Sequence, residues 1–491
     1  MNQNSTYQDY FEPTPTSKDW KTLIVVLSGT FMAVIDSTIV NVALPSIANN
    51  LHATSSDIEW IVSGYLLAFG LILVPAGRFG DRIGHKPIFL TGISLFTIAS
   101  VVCGTAINPT ELVIARVIQG LAAGLFGPSV QATIQLLFIG RARSRAFGIL
   151  GTMIGVSSAL GPILGGVILS LAGSALGWRL VFFVNLIIGA IAIPMAVVLI
   201  PNNRPKITHK LDPFGLALIT VGLAAIFIPL IEGQSIGWPL WTYLSIAFGA
   251  IIFISLTKWE QFASRTGREP IVDPKLARQR PFSGGVAIAM AYFGAFSSLF
   301  IIISLIWQVG LGRSPLASGL TVAPFALGTL ISGSISDKFS ARLKRRVLTL
   351  AASMLATSVV SIALIFHSSN SNILSITLVI PLFIGGFGNG IFIAPNQDFL
   401  LRSIPRSQAG TAAGLLQTAQ RIGSAFGVAL TGTVFFTVLA GQLPHTKNGI
   451  ISQDRYIHAG AIAFLVNIAL VIAVLALITI LPRNPEVSST N

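Results

Sequence analysis

The chain has 491 residues, of which 53% are hydrophobic and only 10% are charged, and its mean hydropathy is +0.79. A soluble protein of this length would divide into several domains with polar exteriors, and soluble proteins carry roughly 25% charged residues on average. The composition therefore excludes an ordinary soluble fold, and it predicts that lipid covers most of the surface.

Runs of apolar residues recur along the whole chain between short polar breaks. A membrane-spanning helix needs about 20 mostly apolar residues, and fourteen runs meet this length. They cover residues 21–45, 59–77, 88–107, 110–137, 146–171, 179–200, 214–232, 239–257, 283–306, 315–336, 347–367, 372–397, 411–438 and 459–481. The sequence predicts an all-α membrane protein with fourteen spans.

The 31 Lys and Arg residues, which give a net charge of +14, predict the topology. Most of them fall in alternate loops on the side of the amino terminus, and basic loops stay on the cytoplasmic side. The loops of the other side hold only Arg179, Arg313, Lys447 and Arg455. We therefore expect a multi-pass protein of the cell membrane with both termini cytoplasmic, polar tails at 1–20 and 483–491, and no nucleic-acid partner.

The sequence lacks the signatures of disulfide bonding, metal binding, ATP binding and nucleophilic catalysis. Cys103 is the single cysteine, the six histidines show no paired metal-ligand spacing, and no Gly-x-x-x-x-Gly-Lys-Ser/Thr loop for ATP is present. No Ser or Cys has a recognisable base partner in the sequence. We expect no metal, no cofactor and no enzymatic activity, although a membrane-embedded enzyme stays as a less favoured alternative.

One loop motif occurs twice. Gly77 is followed by Asp81, Arg82 and Lys86 after the second span, and the same order of glycine, acid and base recurs around Asp337 after the tenth span. Tight loops between membrane helices attract glycine and basic residues for topology alone. That explanation does not readily account for an acid at the same place twice.

The repeated motif predicts two homologous halves, as many secondary transporters have. We assign an amino-terminal six-helix bundle to residues 21–200 and a carboxy-terminal six-helix bundle to residues 282–482. Two additional membrane helices and their loops then occupy residues 201–281.

Seven motifs in order along the chain carry a resemblance to a known family. They are Ile35 to Pro45, Gly77 to Lys86, Arg116 to Gly120, Gly161 to Gly166, Trp178 to Asn185, Gln308 to Pro324, and Ala409 to Ala429. Together they resemble the major facilitator superfamily, and within it the fourteen-helix drug:proton antiporters. The resemblance covers residues 20 to 480.

The resemblance implies a monomeric secondary transporter in the lipid bilayer. Such a protein exports hydrophobic or amphipathic drug-like compounds, antibiotics included, in exchange for protons by alternating access. Fold alone does not determine the substrate, so a proton-coupled transporter of a specific metabolite, lipid or organic anion stays as an alternative.

Asp36 is the only acid deep within a predicted span. It lies about 13 Å below the outer end of its helix, and Arg116 lies about 10 Å below the same surface, at 1.5 Å of rise per residue. We expect the two side chains to face a cavity and to interact, so that the carboxyl can exchange a proton. A static buried ion pair, or local bonding of Asp36 to Thr38 and Asn41, is the alternative.

Arg421 is the cation inside a span of the second half. It could orient the substrate, or it could bond backbone carbonyls as a packing residue. The wider set of candidates for an apolar cavity with polar handles consists of Asn41, Tyr65, Gln119, Tyr292, Trp307, Gln308, Asn396, Gln417 and Arg421.

The remaining assignments follow from the resemblance. It implies that Asp81 and Asp337 act as a conformational latch with Gly77, Arg82 and Lys86, and we expect Asp81 to contact the start of the thirteenth span. The antiporter motif comprises Gly161, Pro162, Gly165 and Gly166, whose small residues allow close helix approach.

Overall fold

A computed structural model describes residues 15–202, 212–233, 236–265, 279–343, 345–368, 375–401, 404, 408–441 and 452–480. The first helix begins at Ser17, inside the tail predicted at 1–20. Residues 1–14 and the predicted tail at 483–491 lie outside the described residues.

The described elements are helices, which we number α1 to α14. Their bounds are α1 Ser17–Leu51, α2 Ser55–Ile83, α3 His85–Thr105, α4 Pro109–Leu137, α5 Gly140–Gly173, α6 Ala175–Leu199, α7 Pro213–Glu232, α8 Leu240–Arg265, α9 Arg280–Ser304, α10 Pro315–Leu343, α11 Arg346–Ser368, α12 Val379–Leu401, α13 Ala409–Gly441 and α14 Gln453–Ile480. A π-helical turn, Leu305–Gly310, extends α9, and a 3₁₀ turn, Ser375–Leu378, precedes α12.

Fourteen helices among the described residues are long and apolar enough to cross a membrane, and each coincides with a predicted apolar run. Large apolar side chains are exposed along them, such as Leu171 (83% exposed) and Val198 (73% exposed). Exposed apolar surface on this scale requires lipid as the solvent. The prediction of an all-α protein with fourteen spans is confirmed.

Capping residues explain why several helices begin before their apolar runs. Thr16 and Asp19 form a reciprocal capping box at α1, and Thr54 and Asp57 form another at α2. In each box the hydroxyl accepts from the third backbone N–H of the helix, and the carboxylate accepts from the cap residue. The apolar run therefore indicates the lipid-embedded part, and the caps determine where the helix begins.

The break between α5 and α6 lies at Gly173. Its φ of 72° and ψ of 171° are outside the helical region, and glycine reaches positive φ at little cost. The two helices are otherwise continuous from Gly140 to Leu199. One glycine thus separates two membrane spans without a loop.

The helices of each half pack mainly on one another. In the first half, α1 packs on the α5–α6 stretch and α4 packs on α2 and α3; in the second half, α12 packs on α10 and α11, and α9 packs on α13 and α14. Four helix pairs join the halves among the described residues: α2 and α4 pack on α13, and the α5–α6 stretch packs on α10 and α12. The additional helices α7 and α8 pack on each other, and α7 also contacts α2 and α13.

The repeated motif places equivalent glycines at two of these contacts, α2 with α13 and α5 with α10. A Cβ atom at Gly77 of α2 would overlap the carbonyl of Gly410 on α13, and one at Gly333 of α10 would overlap the Thr152 hydroxyl on α5. Both contacts lie at the end of the bundle where α1 begins and α2 ends, which we call the basic face. The division into bundles at 21–200, 201–281 and 282–482 stays a prediction.

Candidate functional site

A carboxylate in the middle of α1 binds side chains of two other helices. Asp36 Oδ2 accepts a hydrogen bond from Arg116 Nη1 at 2.5 Å. Its Oδ1 accepts from Gln119 Nε2 at 2.8 Å and from Asn185 Nδ2 at 2.7 Å. Arg116 and Gln119 lie one turn apart on α4, and Asn185 lies on α6. One carboxylate therefore ties α1 to α4 and α6.

The arginine of this cluster has partners for its charge and its N–H groups. Arg116 Nε donates to the carbonyl of Ile61 on α2 at 3.0 Å, and Nη1 also donates to Gln119 Oε1 at 2.6 Å. The guanidinium carbon lies 4.2 Å from the ring centroid of Tyr65. A Cβ atom at Gly120 would overlap the Tyr65 carbonyl. The glycine brings α2 and α4 close enough for Arg116 to reach between them.

Asp36 and Arg116 do not face the cavity that the sequence analysis expected. Asp36 has no exposed surface and Arg116 is 1% exposed. A buried ion pair persists only when its polar atoms are satisfied, and here neighbouring side chains and the Ile61 carbonyl bond to them. Asp36 also makes no contact of the local kind considered for it, because Thr38 and Asn41 bond to backbone carbonyls of α1.

Three further members of this cluster, Asn185, Ser100 and Cys103, were not predicted from the sequence as site residues. Asn185 was recognised only as part of a motif, although an amide in an apolar span is itself a signal. Ser100 of α3 accepts from Gln119 Nε2 at 2.7 Å, and the Cys103 thiol lies 3.6 Å from Gln119 Oε1. Small hydroxyls and thiols are common in apolar helices, so their sequence positions carried no signal.

The antiporter motif lies directly beside α1. A Cβ atom at Gly161 would overlap the hydroxyl of Thr38, and Gly165 also packs against α1. Pro162 faces the other half, since a Cβ atom at Gly319 of α10 would lie 3.3 Å from the Pro162 Cβ. Helix α5 thus contacts the helix that carries Asp36 on one side and the second half on the other.

A second carboxylate joins the halves at the basic face. Asp81 Oδ1 accepts from the backbone N–H of Gly410 at 2.7 Å, and Oδ2 accepts from the N–H and hydroxyl of Thr411 at 2.7 and 2.5 Å. Unpaired N–H groups and the helix dipole make the first turn of α13 attractive to an anion. This is the contact that the sequence analysis expected for Asp81, and Arg82 beside it is partly exposed.

Other residues of the repeated motif differ from expectation. Lys86 does not join Asp81, because its Nζ donates to the Val197 carbonyl at the end of α6 at 2.6 Å. His85, which the sequence analysis left unassigned, has Nε2 3.4 Å from Asp81 Oδ1. The side chain of Asp337 lies outside the described part of the structure.

The cavity candidates fall into two groups. Five are buried: Tyr65, Gln119, Tyr292, Trp307 and Asn396. The aromatic ones already have partners, since Tyr292 stacks on Phe392 with centroids 3.6 Å apart and Trp307 Nε1 donates to Ser375 Oγ at 3.1 Å. The remaining candidates keep exposed surface: Asn41, Gln308, Gln417 and Arg421.

The sequence matches the Major Facilitator Superfamily over residues 26–428. The chain belongs to this superfamily of transporters, and it is a multi-pass membrane protein. Its fold is also that of a solved structure of the human organic anion transporter MFSD10 (TETRAN), with a TM-score of 0.65 over 94% of this chain and 99% of that one. At 14% identity this likeness shows the fold alone.

Relatives connect the chain to antibiotic export and resistance. It is 34% identical to the probable actinorhodin transporter of Streptomyces coelicolor, over 90% of this chain and 77% of the relative. It is 30% identical to the puromycin resistance protein pur8 of Streptomyces alboniger, over 97% and 94% respectively. The expected membership of a drug-efflux family is confirmed.

Proposed function

We propose that the protein exports amphipathic drug-like compounds across the cell membrane in exchange for protons, as a monomeric transporter and not as an enzyme. The observation that carries this proposal is the Asp36 cluster. Among the described residues, Asp36 is the only carboxylate more than two turns from either end of its helix. An ionisable group at this depth is costly without a use, and exchange of a proton is the use that the transporter family suggests.

Protonation of Asp36 would change three contacts at once. A neutral carboxyl loses its charge and turns one acceptor oxygen into a donor, which faces the donors of Arg116, Gln119 and Asn185. The bonds that hold α1 to α4 and α6 then weaken. Because hydrogen bonds to a charged group contribute about 1.5–3 kcal/mol each, loss of the charge on Asp36 lowers the free-energy cost of moving α1.

Movement of α1 can reach the second half through α5. Gly161 fits against Thr38, two residues from Asp36, and Pro162 fits against Gly319 of α10. In packing this close, a small shift of one helix displaces the next instead of being absorbed. We therefore propose that α1 and α5 couple the proton to alternating access between the halves.

The contact of Asp81 with the first turn of α13, which we call the latch, keeps the basic face closed in this proposal. The positive-inside rule makes the basic face cytoplasmic, with both termini on that side. The closed latch then corresponds to a conformation in which substrate cannot enter from the cytoplasm. Its opening would expose the interface between the halves to that side.

Substitution of Asp36 tests the proposal. In proteoliposomes with an imposed pH gradient, we expect Asp36→Asn to abolish gradient-driven efflux of puromycin or of a panel of cationic, neutral and anionic amphiphiles. Glu111→Gln is the matched control, because it also removes one carboxylate charge but keeps an acceptor for the Ile107 N–H. Gradient-driven efflux by Asp36→Asn at the rate of the unsubstituted protein would reject the proposal.

The latch has a test of its own. We expect Asp81→Ala to slow turnover about tenfold or more while substrate affinity in detergent stays within about twofold, since the lost bonds to a charged group are worth about 1.5–3 kcal/mol each. Thr411→Ala keeps the backbone N–H and should have a smaller effect. Equal turnover in Asp81→Ala and the unsubstituted protein would exclude a role for the latch.

A further inference from the structure

Arg421 lies deep in the membrane, at the boundary between the two halves. It follows Ala409, the first residue of α13, by twelve residues, or about 18 Å of helix. Its guanidinium carbon lies over the ring of Phe69 on α2, 4.3 Å from the centroid. The side chain keeps part of its surface exposed. A substrate between the halves could therefore reach this cation.

The guanidinium stacks on Phe69. It has no hydrogen-bond or ion-pair partner within the described residues. Two neighbours on α13 are in the same condition, because Gln417 Nε2 and Thr418 Oγ are buried and have no hydrogen-bond partner. Residues three and four apart lie next to each other on a helix. The three side chains form a group of donors that lacks acceptors, and buried donors without acceptors are costly.

The charges in the described membrane interior do not balance, and Arg421 carries the excess. Asp36 and Arg116 neutralise each other in a buried pair. Arg421 then leaves one uncompensated positive charge in the described interior. An isolated charge at this depth is unfavourable, and a bound anion would remove that penalty.

We propose that Arg421, with Gln417 and Thr418, binds the acidic group of an anionic aromatic substrate, a carboxylate or an ionised phenol. This inference rests on the proposed transport function and specifies its substrate. Planar guanidinium groups bind carboxylates through paired N–H donors. Stacking on Phe69 covers one face of the guanidinium and leaves its N–H edge for the ligand.

Equilibrium binding tests the inference with three ligands of one shape. The purified protein in detergent is titrated with 1-naphthoate, 1-naphthamide and 1-naphthylmethylammonium, which differ in charge. We expect 1-naphthoate to bind at least about tenfold more tightly than the other two. Arg421→Gln should abolish this preference, and Arg421→Lys, which keeps the charge but not the paired donors, should keep part of it.

The matched control is Arg145→Gln. Arg145 also lies over an aromatic ring, that of Trp20 at 5.3 Å, but it is at the start of α5 on the basic face. It should keep the full preference for 1-naphthoate. Thermal melting of each variant verifies folding, and Arg421→Lys retains the test if Arg421→Gln does not fold. Equal affinity for 1-naphthoate and 1-naphthamide, or a preference that survives in Arg421→Gln, would overturn the inference.

Transport separates this inference from the proposed function. Efflux of the three ligands is measured in proteoliposomes under a pH gradient, with the membrane potential held at zero by potassium and valinomycin. Gradient-driven efflux of only the amide or the amine would overturn the inference and leave the proposed function standing. Tight binding of 1-naphthoate while the gradient drives efflux of none of the three ligands would count against proton exchange and support the anion site.

Discussion

Arg116 and Arg421 are both arginines inside the membrane, one in each half, but their surroundings are opposite. Arg116 is buried with an ion pair, two further hydrogen bonds and an aromatic ring. Arg421 is partly exposed and has an aromatic ring alone among the described residues. The first arrangement holds helices together, and the second leaves a cation available to a ligand. The partners of an arginine inside the membrane therefore decide whether it stabilises helix packing or stays available to a ligand.

The largest expected difference is between the stabilities of variants that lack one arginine or the other. Arg116→Met leaves the Asp36 carboxylate buried without its counter-charge, and breaking a buried pair in this way costs about 3–5 kcal/mol. Arg421→Met removes an unpaired charge and should leave the melting temperature unchanged or slightly raised. Melting in detergent measures both.

A double substitution provides the control for this comparison. Asp36→Asn combined with Arg116→Met removes both charges, and it should recover a large part of the stability that Arg116→Met loses. Equal melting temperatures for the two single arginine variants would show that the apparent difference between the two arginines has no energetic meaning.

A smaller effect is expected at two buried amides, one in each half. Asn185→Leu removes a donor to a carboxylate and should cost about 1.5–3 kcal/mol. Asn467 of α14 is also buried, but it donates to neutral acceptors, the Ala295 carbonyl and the Ser298 hydroxyl. Asn467→Leu should therefore cost only about 0.5–1.5 kcal/mol. The ranking of the two melting temperatures tests this difference, and the reverse order would count against a charged Asp36.

The smallest effect concerns the ring beneath Arg421. A double-mutant cycle of Phe69→Leu and Arg421→Gln, read by melting temperature, should give a coupling of about 0.5–1 kcal/mol for this partly exposed cation–π contact. The same cycle for Tyr65→Leu and Arg116→Gln serves as the comparison in the first half. A coupling at Phe69 indistinguishable from zero would show that the stacking does not hold the guanidinium.

Much of the fold could be predicted from the sequence, because lipid imposes a length and a composition on each span. The contact of Asp36 with Arg116 followed from their similar depth, and the contact of Asp81 with α13 followed from the family motif. Neither required knowledge of side-chain packing.

The surroundings of these residues could not be predicted in the same way. Asn185 reaches Asp36 from a helix 149 positions along the chain, so its partner depends on how α6 rotates about its axis. The burial of Tyr292 and Trp307 depends likewise on which face each helix presents to its neighbours. An aromatic residue in an apolar span has the same sequence signature whether it lines a cavity, packs in a core or contacts lipid.

The latch relies on the main chain of α13 for two of its three donors. Side-chain replacement at Thr411 leaves its N–H in place, and only proline lacks this group. Gly410 has an additional limit, because a Cβ atom there would lie 2.5 Å from the His85 ring and 2.6 Å from the Gly77 carbonyl. Thr411 is also buried, so a deep mutational scan should find small residues tolerated at position 411 and proline excluded, and position 410 intolerant of every substitution.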